Sequence, residues 1–86
     1  MSTASDILME AASLVSIDRH EKHGEASENL GNIGALWSFY LGTPISAKQV
    51  AMMMVLLKIA RTKTGAPTPD NYVDMAGYAG LAGALS

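Results

Sequence analysis

The sequence contains no cysteine in its 86 residues. Disulfide bonds, cysteine catalysis and thiolate metal sites are therefore excluded. A surplus of positive charge is also missing, because six Lys and Arg residues stand against eight Asp and Glu residues, for a net charge of −2. Without a basic field to attract phosphate backbones, we expect no binding to duplex nucleic acid.

Membrane and export signals are absent as well. The longest largely apolar stretch, residues 50–60, falls short of the about 20 residues that a membrane-spanning helix needs. The N-terminal residues include Asp6 and Glu10 and lack the positively charged segment that opens a secretory signal. We therefore expect a cytoplasmic protein with no membrane partner.

Helical periodicity dominates the chain, and the alternation typical of half-buried strands is missing. Leu30, Ile33 and Trp37, for example, recur at three- and four-residue steps. No repeat or linker divides the sequence. We predict an all-α fold, a compact bundle of about four short helices that forms a single domain over residues 1–86.

Local signals predict the ends of the first two helices. Thr3 or Ser5 caps a first helix that runs to about residue 16 or further. A second helix covers about residues 25–41 and stops at the following glycine and proline.

The last two helices have clearer starting signals. Ser46 opens the capping box Ser-Ala-Lys-Gln of a third helix, which runs to about residue 63. Thr68 caps a fourth helix with Pro69 in its first position, and this helix fills most of the remaining chain.

The third helix is apolar on all sides. Residues 50–60 are apolar except for Lys58. A chain of this length cannot bury such a helix on every side by itself. We therefore predict that another copy covers part of the helix and that the protein is a homo-oligomer. The methionines at 52–54 are expected to fill irregular gaps between helices.

Glycines interrupt the second and fourth helices. Gly31 and Gly34 each cost about 1 kcal/mol of helix propensity relative to alanine, which indicates close approach of either another backbone or a ligand. Gly77, Gly80 and Gly83 allow similar close contacts in the fourth helix.

Three aromatic residues lie near the end of the second helix. We place Trp37 in the core. Phe39 and Tyr40 point to different sides of the helix, so at least one of them is expected to reach an interface or a pocket.

Charged residues are concentrated where the third helix ends and the fourth begins. Lys58 and Arg61 lie on one side of a helix C-terminus, where cations are favoured and where they can contact phosphate oxygens. Asp70 and Asp74 are one turn apart and can share a face with Tyr78. Alternatively, the two cations pair with Asp74 and Asp70 at a helix crossing.

His20 and His23 are spaced as zinc ligands on a helix could be. Such a charged stretch is more typical of a solvated surface, and we assign no metal to it. The ring of His23 could instead stack on a base.

Several segments together resemble a family of small, uncharacterised tailed-phage proteins, and the resemblance covers nearly the whole chain. They are residues 14–19, 23–24, 36–42, 52–61 and 70–78. The order of Lys58-x-x-Arg61 and Asp70-x-x-x-Asp74-x-x-Gly-Tyr is also similar to phage nucleotide-modification-associated domains. These in turn are distantly similar to the all-α MazG-type nucleotide pyrophosphohydrolases.

The resemblance implies a phage protein in the host-cell cytoplasm that acts on nucleotides. We expect an oligomeric protein that binds a nucleotide or nucleotide-like signal. It would sequester a (cyclic) nucleotide and so counter host defence. We expect no cofactor. Basic side chains would contact phosphate, an aromatic ring the base, and an aspartate the ribose or exocyclic donors. The candidate ligand-binding residues are Arg19, His23, Lys58, Arg61, Asp70, Asp74 and Tyr78.

Two alternatives remain open. A MazG-like hydrolase would hold magnesium through Glu25, Glu28, Asp70 and Asp74, but residues 46–63 contain no acid, so the usual pair of acidic motifs is incomplete. This favours binding over catalysis. The other alternative is a protein-interaction module that inhibits or scaffolds a host or phage protein through its apolar surface.

Overall fold

The computed structural model describes residues 2–16 and 25–85, which contain four α-helices. Helix α1 comprises Ala4–Val15, α2 Ala26–Leu41, α3 Ala47–Arg61 and α4 Pro69–Ala84. No strand occurs in these residues, which confirms the predicted all-α fold. Arg19, His20 and His23 lie outside the described residues.

The helices begin at the predicted caps. Thr3 accepts a hydrogen bond from the Asp6 amide, and the Asp6 carboxylate accepts one from the Thr3 amide, so Thr3 rather than Ser5 caps α1. Ser46 and Gln49 form the same reciprocal pair at the start of α3. Because these caps satisfy amides that have no partner within the helix, each predicted start could be found from local sequence.

Helix α3 ends slightly earlier than predicted. Its last residue is Arg61, and Thr62 takes the capping position. The Thr62 hydroxyl donates to the carbonyl oxygen of Ile59 at 2.6 Å, so it satisfies one carbonyl at the helix end. Gly65 then adopts a positive φ of 76° in the connection to α4.

The two C-terminal helices lie at the centre of the fold. Helix α4 packs against both α3 and α1, and α3 also packs against α2. The main core forms around four buried residues, Leu30, Val50, Ala51 and Ala82. None of the helices within the described ranges is long and apolar enough to cross a membrane.

The position of each side chain on its helix decides whether it joins this core. Trp37 and Met54 pack against the core from partly buried positions, as predicted. Met52 and Met53 are instead 48% and 36% exposed. The prediction that all three methionines fill internal gaps is therefore wrong for two of them. The reason is geometric, since Met54 follows both buried residues of α3, Val50 and Ala51, by four and three residues and so lies at the middle of the buried side.

Gly34 allows the loop after α2 to lie directly against that helix. A Cβ atom at this position would lie 2.7 Å from the carbonyl oxygen of Ile45. One turn further along, the Ser38 hydroxyl accepts a hydrogen bond from the Ile45 amide at 2.7 Å and donates one to the Gly34 carbonyl at 2.6 Å. Close backbone approach, one of the two predicted explanations, thus applies to Gly34. Gly31 has no such neighbour within 4 Å.

Candidate functional site

An ion pair joins α3 to α4 where these central helices pack together. The Lys58 ammonium donates to Oδ2 of Asp74 at 2.8 Å. The Lys58 side chain is only 13% exposed and that of Asp74 is 35% exposed. Partial burial and the short distance make this a charge-assisted hydrogen bond with limited competition from water. The predicted pairing of Lys58 with Asp74 is therefore confirmed.

The second half of the predicted pairing is wrong. Among the described residues, no ion pair joins Arg61 to Asp70. Both residues are exposed, one at the last position of α3 and the other in the first turn of α4. Charges at such exposed positions stay hydrated, and pairing them would add little free energy. Arg61 is thus an exposed cation, three residues after the paired Lys58 on α3.

A small cavity lies beside the ion pair, between α1 and α4. Its volume is about 100 Å³, and its lining includes Asp74 and Tyr78 of α4 and Leu14 and Val15 of α1. Tyr78 is partly buried and also packs against the main core. Three predicted ligand-binding residues, Lys58, Asp74 and Tyr78, are therefore brought to one region of the fold.

Gly77 allows α1 to pack closely against α4 at this cavity. A Cβ atom at Gly77 would lie 3.3 Å from Cγ1 of Val15, whereas Gly80 and Gly83 have no neighbour within 4 Å. Of the three glycines predicted to permit close helix contact, Gly77 alone does so here. The sequence spacing did not reveal the difference, because it depends on where α1 crosses α4.

The four candidate magnesium ligands do not gather into a metal site. Glu25 precedes α2, where it accepts a hydrogen bond from the Ser27 hydroxyl at 3.0 Å, and Glu28 lies exposed in the first turn of the same helix. Asp74 is engaged by Lys58. In residues 2–16 and 25–85, no group of three or more His, Asp or Glu side chains is placed to hold a metal ion.

The outer side of α3 presents a second candidate site, which is wholly apolar. Leu56 is 64% exposed, and the other outward positions between Met52 and Ala60 are also occupied by apolar residues. On α2, Tyr40 is 87% exposed and the adjacent Leu36 and Leu41 are exposed too. We define the α2–α3 apolar surface by these side chains: Leu36, Tyr40, Leu41, Met52, Met53, Leu56, Leu57 and Ile59.

A shallow cleft joins the two helices within this surface. It is lined by Trp37, Tyr40 and Leu41 of α2 and by Met53 of α3. Tyr40 therefore reaches a pocket, as predicted for at least one member of the aromatic pair. Phe39 is 89% exposed on the outer side of α2. Leu41 and Met53 were not among the predicted site residues, although the apolar character of α3 on all sides was a usable signal.

Comparison with known proteins then places the chain in a family. A family model described as a domain of unknown function, DUF6378, matches residues 6–86. The chain belongs to this family. The predicted resemblance to a family of small phage proteins is supported by similar proteins from two phages. The similarity to nucleotide-modification-associated domains and to MazG-type hydrolases stays a prediction.

Both of these relatives are named Gene 55 protein. The one from Mycobacterium phage D29 is 43% identical over 77 residues, which cover 90% of this chain and 51% of the relative. The one from Mycobacterium phage L5 is 41% identical over 76 residues, covering 87% and 49%. The DUF6378 chain described here thus spans about half the length of the curated relatives it matches. No solved structure matches it.

Proposed function

We propose that this protein is a protein-interaction module and that its binding site is the α2–α3 apolar surface. The observation that carries the proposal is the outer side of α3, where every outward position from Met52 to Ala60 is apolar. Exposed apolar side chains are normal when scattered singly, but a contiguous group of them marks an interaction site.

The chemistry of this surface suits the binding of another protein. Each square ångström of apolar surface removed from water contributes about 25 cal/mol, so covering α3 on its outer side stabilises a complex. Aromatic side chains such as Tyr40 are enriched among the residues that dominate binding energy. Met53 in the cleft is unbranched and adapts its shape to the partner.

The expected homo-oligomer is one form of this function, in which the partner is another copy. Two of the relatives are phage proteins, and we place the module in the cytoplasm of a phage-infected cell. Its partner there is either the chain itself or a host or phage protein.

Photo-crosslinking in cells tests the proposal. A photoreactive phenylalanine analogue replaces Leu56 in one variant and the exposed Ala12 of α1 in a matched control. We expect irradiation to give a defined protein adduct with position 56 and none with position 12. Absence of any adduct at position 56, in a variant with native helical content, would contradict the proposal.

A second candidate function is binding of a nucleotide-like phosphate compound. It is favoured by the convergence of Lys58, Asp74 and Tyr78 beside the cavity between α1 and α4. Pockets that bury small ligands measure about 300–1,000 Å³, so the cavity can take only part of such a ligand. The exposed Arg61, three residues after Lys58 on the same side of α3, is the candidate for contacting its phosphate groups.

Thermal stabilisation measures this second function directly. Mono-, di-, tri- and cyclic nucleotides, with and without magnesium, are tested on the protein and on its Arg61→Ala variant. We expect a rise in Tm for one class of nucleotide, lost in Arg61→Ala and kept in Lys48→Ala, an exposed cation at the other end of α3. Intact ligand afterwards indicates binding, and magnesium-dependent product indicates the hydrolase. No shift with any nucleotide would contradict both.

A further inference from the structure

We infer that the partner on the α2–α3 apolar surface is a second copy of this chain, in a two-fold dimer in which α3 packs antiparallel against its counterpart. This inference rests on the proposed function, because it names the partner for the same surface. Four features of the molecule support it: the size of the core, the excess of exposed area, the distribution of charge along α3 and the spacing of its outward apolar residues.

The core of one chain is small. Among the described residues, the buried apolar side chains are Ala11, Leu30, Val50, Ala51, Val73 and Ala82. Half of these are alanines, which contribute little buried area. A domain of this length has a marginal core even when it is well packed. Covering the α2–α3 apolar surface with a second copy would add to this core, and a second copy is present whenever the chain is made.

The exposed area agrees with one dimer interface. The accessible surface is 5972 Å², whereas a compact monomer of 9.0 kDa is expected to expose about 4,900 Å². The difference is about 1,100 Å² per chain, and a standard interface removes about 800 Å² from each partner. One interface of ordinary size would remove most of this excess.

The composition of the surface is that of a permanent interface. No charged side chain lies on the outer side of α3 between Gln49 and Arg61. Permanent homodimer interfaces are more apolar than transient ones, which are about as polar as the rest of a protein surface. A transient partner would leave this apolar surface exposed to water whenever it dissociates, whereas a permanent second copy keeps the surface covered.

Spacing and charge also favour pairing of α3 with itself. Met52, Leu56 and Ile59 recur at steps of four and three residues, the spacing of a helix-pairing seam. Parallel pairing would place the two Arg61 side chains together at aligned helix C-termini. Antiparallel pairing about an axis near Leu56 separates these cations and opposes the two helix dipoles. With this two-fold axis both copies use the same surface, so that Leu56 lies near its counterpart and Met52 of one copy lies near Ile59 of the other.

Molecular mass in solution provides the first test. The purified full chain is measured by light scattering after size exclusion, over a range of concentrations. We expect twice the 9.0 kDa mass of one chain. A mass of one chain at all concentrations, with native helical content, would overturn the inference.

Cysteine cross-linking provides the second test and does not require a disruptive substitution. The chain has no native cysteine, so Met53→Cys and Leu56→Cys each introduce a single thiol, as does Ala12→Cys in the control. A short bis-maleimide is added to each protein. We expect covalent dimers at least tenfold more abundant for one of the α3 variants than for the control. If Ala12→Cys cross-linked as much as or more than both α3 variants, the contact between copies would lie elsewhere and the inference would be overturned.

The outcomes separate this inference from the proposed function. If the purified chain is monomeric but position 56 cross-links to a different protein in cells, self-pairing is wrong and the interaction module stands. If position 56 gives no adduct with any protein, both fail.

Discussion

Gly34→Ala is expected to destabilise the protein by about 3 kcal/mol, at the upper end of the usual effect of overpacking. The added Cβ would lie 2.7 Å from the carbonyl oxygen of Ile45 and 3.4 Å from Cγ2 of Val50. Because the nearest atom is backbone, and because Ser38 bonds to Ile45 at the same place, no side-chain rotation can relieve the contact. Thermal unfolding followed by circular dichroism should show Tm lower by roughly 15 °C.

Gly31→Ala is the matched control in the same helix. A Cβ atom there meets nothing within 4 Å, so the substitution should raise stability by about 0.5–1 kcal/mol through helix propensity alone. All variants are measured at one protein concentration, because the proposed association of copies would change the apparent Tm. Equal stability of Gly34→Ala and Gly31→Ala would contradict the close contact between Gly34 and the loop that contains Ile45.

Asp74→Ala is expected to cost about 2 kcal/mol, less than for a fully buried pair because Asp74 is partly exposed. The substitution leaves the Lys58 ammonium without its carboxylate at a position where only 13% of the side chain is exposed. Asp70→Ala is the control, since this carboxylate lies one turn earlier on α4 and is exposed. Its stability should change by less than about 0.5 kcal/mol.

The double variant Lys58→Met with Asp74→Leu distinguishes the ion pair from simple packing. Replacing a buried ion pair by apolar side chains of similar volume is often neutral, so we expect the double variant to recover most of the stability lost in Asp74→Ala. Chemical denaturation of the wild type, Lys58→Met, Asp74→Leu and the double variant measures the coupling between the two sites. A coupling near zero would show that Lys58 and Asp74 do not depend on each other for stability.

The ion pair also bears on ligand binding. Because Lys58 is engaged by Asp74, a phosphate group would have to compete with a carboxylate for this cation. Arg61 has no such competitor among the described residues, so it is the better of the two residues for testing nucleotide binding by substitution. Loss of binding in Arg61→Ala without loss of helical content would separate ligand recognition from folding.

Local sequence was sufficient for the helices and their starts. Thr3, Ser46 and Thr68 each satisfy amides only two or three residues away, so the information needed to place these caps lies within one turn. Helical periodicity likewise predicted that Trp37 packs against the core, as it does in the structure. The apolar character of α3 on all sides was evident from the sequence, and it led to the prediction that another molecule covers the helix.

The sequence by itself thus determined the helical class, the capped starts and the excess of apolar surface, because these depend on neighbours within a few residues. Only the tertiary structure decided that Gly34 rather than Gly31 lies against another backbone segment and that Lys58 rather than Arg61 forms an ion pair. It likewise decided that Met54 rather than Met52 packs against the core. Each of these choices depends on where a distant segment crosses a helix. That crossing is set by the packing of whole helices, whose contacts join residues far apart in the chain.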